Sequence, residues 1–128
     1  MGLLQLWSRV RLMCDRRGAE HRAQALLNSH LSAEQYEQYQ AHRSFVVIGC
    51  DSGRRYLIWD EPSINIDQLD PDGVCVKTWC FMPKGHLAQG DVLLAQKIAL
   101  ECFETEVLSV ASGYPPQPHC LASLPRSI

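Results

Sequence analysis

The sequence has no apolar run long enough to cross a membrane. Its longest apolar-rich stretch, residues 92–100, is interrupted by Gln96 and Lys97 and falls well short of the roughly 20 residues a spanning helix needs. A secretory signal is also missing. Residues 1–7 hold no basic residue, and Arg9 and Arg11 cut off any apolar segment that follows. Gly2 does not make a myristoylation motif, because Leu6 stands where that motif wants Ser or Thr. The expected location is therefore the cytoplasm, with no membrane partner. There is no large surplus of charge: 12 Lys and Arg against 14 Asp and Glu leave a net of −2, which exerts no strong pull on nucleic acid or anionic lipid. There are no internal repeats, no CxxC pair and no Walker-type phosphate loop.

What remains is an ordinary globular composition. The 128 residues are 46% hydrophobic and 20% charged, enough for one domain with a real core. The six cysteines are Cys14, Cys50, Cys75, Cys80, Cys102 and Cys120. In a cytoplasmic chain they are expected as reduced thiols, most of them serving as small buried apolar groups. The charge is uneven. Residues 1–30 carry five arginines (9, 11, 16, 17 and 22) against Asp15 and Glu20, a net of +3. The rest carries 7 basic and 12 acidic residues, a net of −5.

The pattern along the chain predicts an α+β fold in three parts: an amphipathic basic arm over 1–30, an α+β domain over 31–112 and a proline-containing tail over 113–128. In the arm, Leu3, Leu6, Trp7, Val10 and Met13 recur at spacings of three and four, one face of a helix. Gly18 is expected to interrupt it. Ser32-Ala33-Glu34-Gln35 has the form of a capping box opening a helix to about His42. Phe45–Ile48 and Tyr56–Trp59 read as strands joined by the Asp51-Ser52-Gly53 turn. Ile64 and Ile66, alternating with polar residues, predict a third strand. Asp70-Pro71-Asp72-Gly73 is a turn, and Val74–Met82 a fourth strand. Asp91 is placed to cap a long helix over Val92–Ala111, with Glu101, Glu104 and Glu106 outward. The expected architecture is a helix, a four-strand antiparallel meander and a long C-terminal helix packed on one face of the sheet, a two-layer sandwich.

Three blocks stand out within this pattern: Phe45–Ile58, beginning F-V-V-I-G-C-D-S-G; Cys80-Phe81-Met82-Pro83; and Asp91–Glu101, D-V-L-L-A-Q-K-I-A-L-E. On these blocks, residues 31–111 resemble a family of small bacterial and phage proteins and domains of unknown function. The resemblance implies a compact domain and brings no chemistry with it.

Several residues are weighed as sites. Cys75, Cys80, His86, His119 and Cys120 are possible zinc ligands, but they lack the close pair that structural zinc sites use. On a regular strand, Cys75 and Cys80 would face opposite sides. Cys80 with His86, or Cys50 beside its turn, offers thiol chemistry without a recognised catalytic arrangement. Glu101 and Glu104 lie three apart on a helix, and solvated glutamates are the simpler reading. Asp51–Arg55 supplies amides, a hydroxyl and two guanidinium groups that suit phosphate, with Tyr56 and Trp59 available to stack on bases. The balance favours a non-catalytic protein-interaction module without cofactor. Its candidate contact residues are Trp7, Arg9, Arg11, Arg54 and Arg55, with a protein as its partner and a homo-oligomer among the options. The alternative is a nucleic-acid-associated protein using the arginine-bearing turn and the basic arm; a thiol or zinc enzyme ranks third.

Overall fold

The chain opens on one unbroken helix, α1 (Leu3–His30). The computed structural model describes residues 2–118; for Trp7 and residues 10–15 it describes the backbone only. Gly18 does not interrupt α1, which at 1.5 Å per residue is about 42 Å long. Its two halves differ. Ala23 and Leu27 are buried in the core, whereas Leu3, Leu4 and Leu6 are 76%, 85% and 56% exposed. The expected arm therefore contributes its C-terminal half to the domain, while Leu3–Leu6, Ser8, Arg9, Arg16 and Arg17 of its earlier turns are exposed.

The second helix, α2 (Ala33–His42), begins at the expected capping box: the Ser32 hydroxyl accepts from the Gln35 amide, and the Gln35 side chain accepts from the Ser32 amide. It ends at Arg43, whose backbone is left-handed at φ 55°. The Arg43 guanidinium lies over the Tyr39 ring and pairs with Asp60. Tyr39 donates to Asp60 and its hydroxyl lies 3.3 Å from the side-chain amide of Gln24 of α1, tying both helices to the end of a strand. Burial and the Asp60 carboxylate push the Tyr39 hydroxyl up to about 12.

Four strands follow in meander order, β1 (Ser44–Ile48), β2 (Arg55–Trp59), β3 (Ile66–Leu69) and β4 (Cys75–Cys80). Then come α3 (Gln89–Val110) and a short β5 (Ser112–Tyr114). All neighbours are antiparallel, in the order β1-β2-β3-β4-β5. The α+β class with a long C-terminal helix against the sheet is as expected, but the sheet has five strands, not four. The start of the expected tail adds β5 to the edge of β4. The third strand also begins later than its alternation suggested, because Ile64 adopts φ 52° and belongs to the turn.

On one face of the sheet, Phe45, Ile58 and Ile66 lie side by side across three strands, with Val47 and Tyr56 one pair along. These five join Leu27, Tyr39, Leu93, Leu94 and Leu100 in the main core. The other face carries a smaller cluster of Leu57, Leu69 and Cys75, with Asp67 buried alongside. Asp67 accepts from the Trp59 indole and the Thr78 hydroxyl. At the open edge of β1, α2 covers Val46: Gln38 accepts its amide and Gln35 donates to its carbonyl. Unpaired strand edges invite further pairing, and these two side chains close this one. Among the described residues no helix is long and apolar enough to cross a membrane.

Candidate functional site

The most organised polar cluster lies where the β1–β2 turn meets α3. The turn is short, and Gly53 takes φ 73°, a conformation that costs a residue without a side chain little. This geometry turns the amides of Asp51 and Ser52 toward α3. Both donate to one oxygen of Glu104, at 2.9 and 2.8 Å. The Ser52 and Tyr56 hydroxyls each donate to the other oxygen at 2.5 Å. Gly49 lies so close that a Cβ there would overlap the carboxylate.

This contact breaks α3. In a regular helix the Leu100 carbonyl would receive the Glu104 amide. Here Phe103 leaves helical geometry (φ −141°, ψ 40°), and the Leu100 carbonyl accepts from the Cys50 amide instead. The freed Glu104 amide points at the Cys50 sulfur, 3.5 Å away. Asp51 then caps the renewed helix: its carboxylate accepts from the amide and hydroxyl of Thr105 at 3.0 and 2.6 Å. The helix and the turn thus exchange backbone partners, so the break leaves these groups satisfied.

The expectation that Glu104 faces solvent is therefore wrong. It is 2% exposed. Burial by itself would raise its carboxyl; the bonds from Ser52, Tyr56 and the two amides outweigh burial and hold it below the usual carboxylate range. Burial and the neighbouring carboxylate push the Tyr56 hydroxyl up to about 12. The hydroxyl and amide of Thr105 lower Asp51. Glu101, the supposed partner of Glu104, pairs instead with Lys97 at 2.6 Å. Asp91 does not cap α3 through its side chain, because the helix starts three residues earlier than expected, at Gln89, with Ala88 as its N-cap.

The turn expected to suit phosphate thus holds the chain's own carboxylate on its amides and hydroxyl. Of its two arginines, Arg55 donates to the carbonyls of Asp70 and Pro71 and braces the next hairpin, while Arg54 is exposed. Tyr56 is fully buried and offers no stacking surface. Arg9 is exposed on α1, as are Arg16 and Arg17; the side chains of Trp7 and Arg11 lie outside the description.

The cysteines divide. Cys75 is disulfide-bonded, so six reduced thiols is not the state found here; Cys50, Cys80 and Cys102 are free. A bulge between β3 and β4 pairs Leu69 with Cys75 but Gln68 with Lys77. The extra residue, Val76, returns Cys75 to the face shared with Thr78 and Cys80, so the opposite-face expectation fails. His119 and Cys120 lie outside the described residues. Among those described, the one trio of His, Cys, Asp or Glu with ligand atoms mutually within 4.8 Å is Cys50, Asp51 and Glu104. The carboxylates of Asp51 and Glu104 are already bonded within the protein.

A second feature lies along the outer turns of α3. Phe81, Met82 and Pro83 face Ala95, Ala99, Val107 and Val110 across an apolar groove of about 250 Å³. Its polar floor is Gln96, which donates to the Asn65 side chain and the Phe81 carbonyl and accepts from Asn65. Val110 is 80% exposed. Sequence reasoning missed this groove. Its signal was the small-residue spacing Ala95-Ala99 on an otherwise bulky helix.

No family model matches the chain, and no curated protein or solved structure shows significant similarity to it.

Proposed function

We propose that the protein is a non-catalytic protein-interaction module whose docking element is the N-terminal end of α1. The observation that carries this reading is the exposure of Leu3, Leu4 and Leu6 on a helix whose later turns are anchored in the core. An amphipathic helix docks by laying apolar residues spaced three and four apart into a groove, and Leu3, Leu6, Trp7 and Val10 have that spacing. Anchoring at Ala23 and Leu27 holds the helix in place, which lowers the ordering cost of binding. The Glu104 cluster supports the same reading, because its polar groups are spent on holding the turn to α3. Kinship with the bacterial and phage family suggested by the three sequence blocks is part of this proposal and rests on those residues.

The test is affinity capture from lysate of the source cells, with and without nuclease, using the full chain and a variant lacking residues 2–16. Truncation must stop there, because a deletion to residue 24 would remove Ala23 from the core. A partner that survives nuclease and is lost on truncation is expected. Retention of the same proteins by both chains overturns the reading.

The second reading, nucleic-acid association, is favoured by the exposure of Arg9, Arg16, Arg17 and Arg54. It ranks lower because the turn amides already hold Glu104 and Arg55 is engaged on carbonyls. Binding to single-stranded RNA or DNA that falls steeply with salt would promote it.

A further inference from the structure

Resting on the reading of α1 as a docking helix, we infer that its occupancy site is the α3 groove of a second copy of this chain, in a reciprocal exchange of arms. Among the described residues, two apolar features stand uncovered, the turns around Leu3, Leu4 and Leu6 and the groove lined by Met82, Ala99 and Val110. One copy cannot join its own two. The arm crosses α3 at its first turn, where a Cβ on Gly90 would lie 2.6 Å from the Ala23 backbone. The groove begins a turn further along α3, at Ala95. Leu27, one turn after Ala23, lies in the core with Leu93 and Leu94, while Leu3, Leu4 and Leu6 at the other end of the helix are exposed. A continuous helix of about 30 Å separates Ala23 from Leu3 and does not fold back.

Charge selects the groove over a second arm. Residues 1–30 carry +3 and the rest of the chain −5, so two arms side by side repel while an arm on a body attracts. The same holds locally. Asp91 lies four residues before Ala95, and Glu106 four before Val110, which puts a carboxylate on the groove-bearing face at each end. Arg9 follows Leu6 by three residues, on the same side of the docking helix. Two arms and two grooves close as a two-fold dimer, leaving neither feature exposed.

Sedimentation equilibrium of the full chain over a concentration series tests this, with three variants: Leu6→Asp in the arm, and Ala99→Arg and Val110→Arg in the groove. Circular dichroism and a thermal melt check that each variant folds, and Val110→Arg sits at an exposed position that tolerates the change. The full chain is expected to be a dimer. Each variant should weaken dimerisation by roughly tenfold or more, as loss of a central interface contact does. Mixing the arm variant with a groove variant should restore a dimer, because one intact arm then meets one intact groove. A full chain that stays monomeric, or a folded groove variant that dimerises as tightly as the parent, overturns the inference. If the monomer still captures a different protein through residues 2–16, the docking-helix reading survives and only the self-docking fails; if it captures none, both fail.

Discussion

The two long helices, α1 and α3, behave oppositely where their sequences suggest the reverse. α1 contains Gly18, a residue that weakens helix interiors, yet runs unbroken for 28 residues. α3 has no glycine or proline near Phe103 and is broken there. The difference lies in what each helix meets. Around Gly18 only the Arg22 side chain comes close among the described residues, so one poor helix former is carried by its neighbours. At Phe103 the β1–β2 turn offers the α3 backbone an equivalent set of partners and a buried seat for Glu104. A helix ends where another part of the fold takes over its hydrogen bonds, and local propensity is the weaker influence.

Removing the seat is the strongest way to break this comparison. Glu104→Ala leaves two amides and two hydroxyls without their acceptor. It should cost about 2–4 kcal/mol, read by denaturant unfolding. The depressed carboxyl adds a pH signature. Its contribution is full above the ordinary value of 4.5 and is lost as pH falls through the lower folded value. The stability gap between the parent and Glu104→Gln should therefore narrow from pH 7 to pH 3, and a constant gap would deny the ionised seat.

Gly49→Ala should come next. Its Cβ overlaps the carboxylate and pushes the turn off α3, at about 1–3 kcal/mol. Amide exchange at Ser52 and Thr105 should rise more than exchange in the β2–β3 pairing; equal rises would mean that the turn and helix are not coupled through this contact. The smallest effect sharpens the other side. Gly18→Ala adds a Cβ that, among the described residues, meets only the guanidinium end of Arg22 and should stabilise α1 by about 0.5–1 kcal/mol. A helix truly interrupted at Gly18 would lose stability instead.

Much of the fold was readable from local chemistry. The capping box at Ser32 and the Asp70–Gly73 turn are set by residues within a few positions of each other, and both stand as expected: Asp70 accepts from the amides of Asp72 and Val74. The β1–β2 hairpin follows from two apolar runs around a glycine turn. Less of the candidate site was legible. A glutamate on a helix reads as solvated, and only the approach of a turn 52 residues away buries Glu104. The register bulge at Val76 gives no local sign either, and it reverses the facing of Cys75 relative to Cys80. The Asn65–Gln96 pair joins residues 31 apart that look like ordinary surface amides.

The order and type of the main elements, the capping of α2, the turns between strands and the contrast of a basic arm with an acidic remainder follow from the residue order alone. These depend on backbone preferences and side-chain periodicity, which act over a few residues. The tertiary structure alone decided that β5 joins the sheet, that α3 breaks at Phe103 around a buried carboxylate, and that Ala23 and Leu27 of α1 enter the core while Leu3, Leu4 and Leu6 stay exposed. Each of those outcomes depends on which distant group arrives to satisfy a hydrogen bond or cover an apolar face, and that is settled only when the whole chain packs.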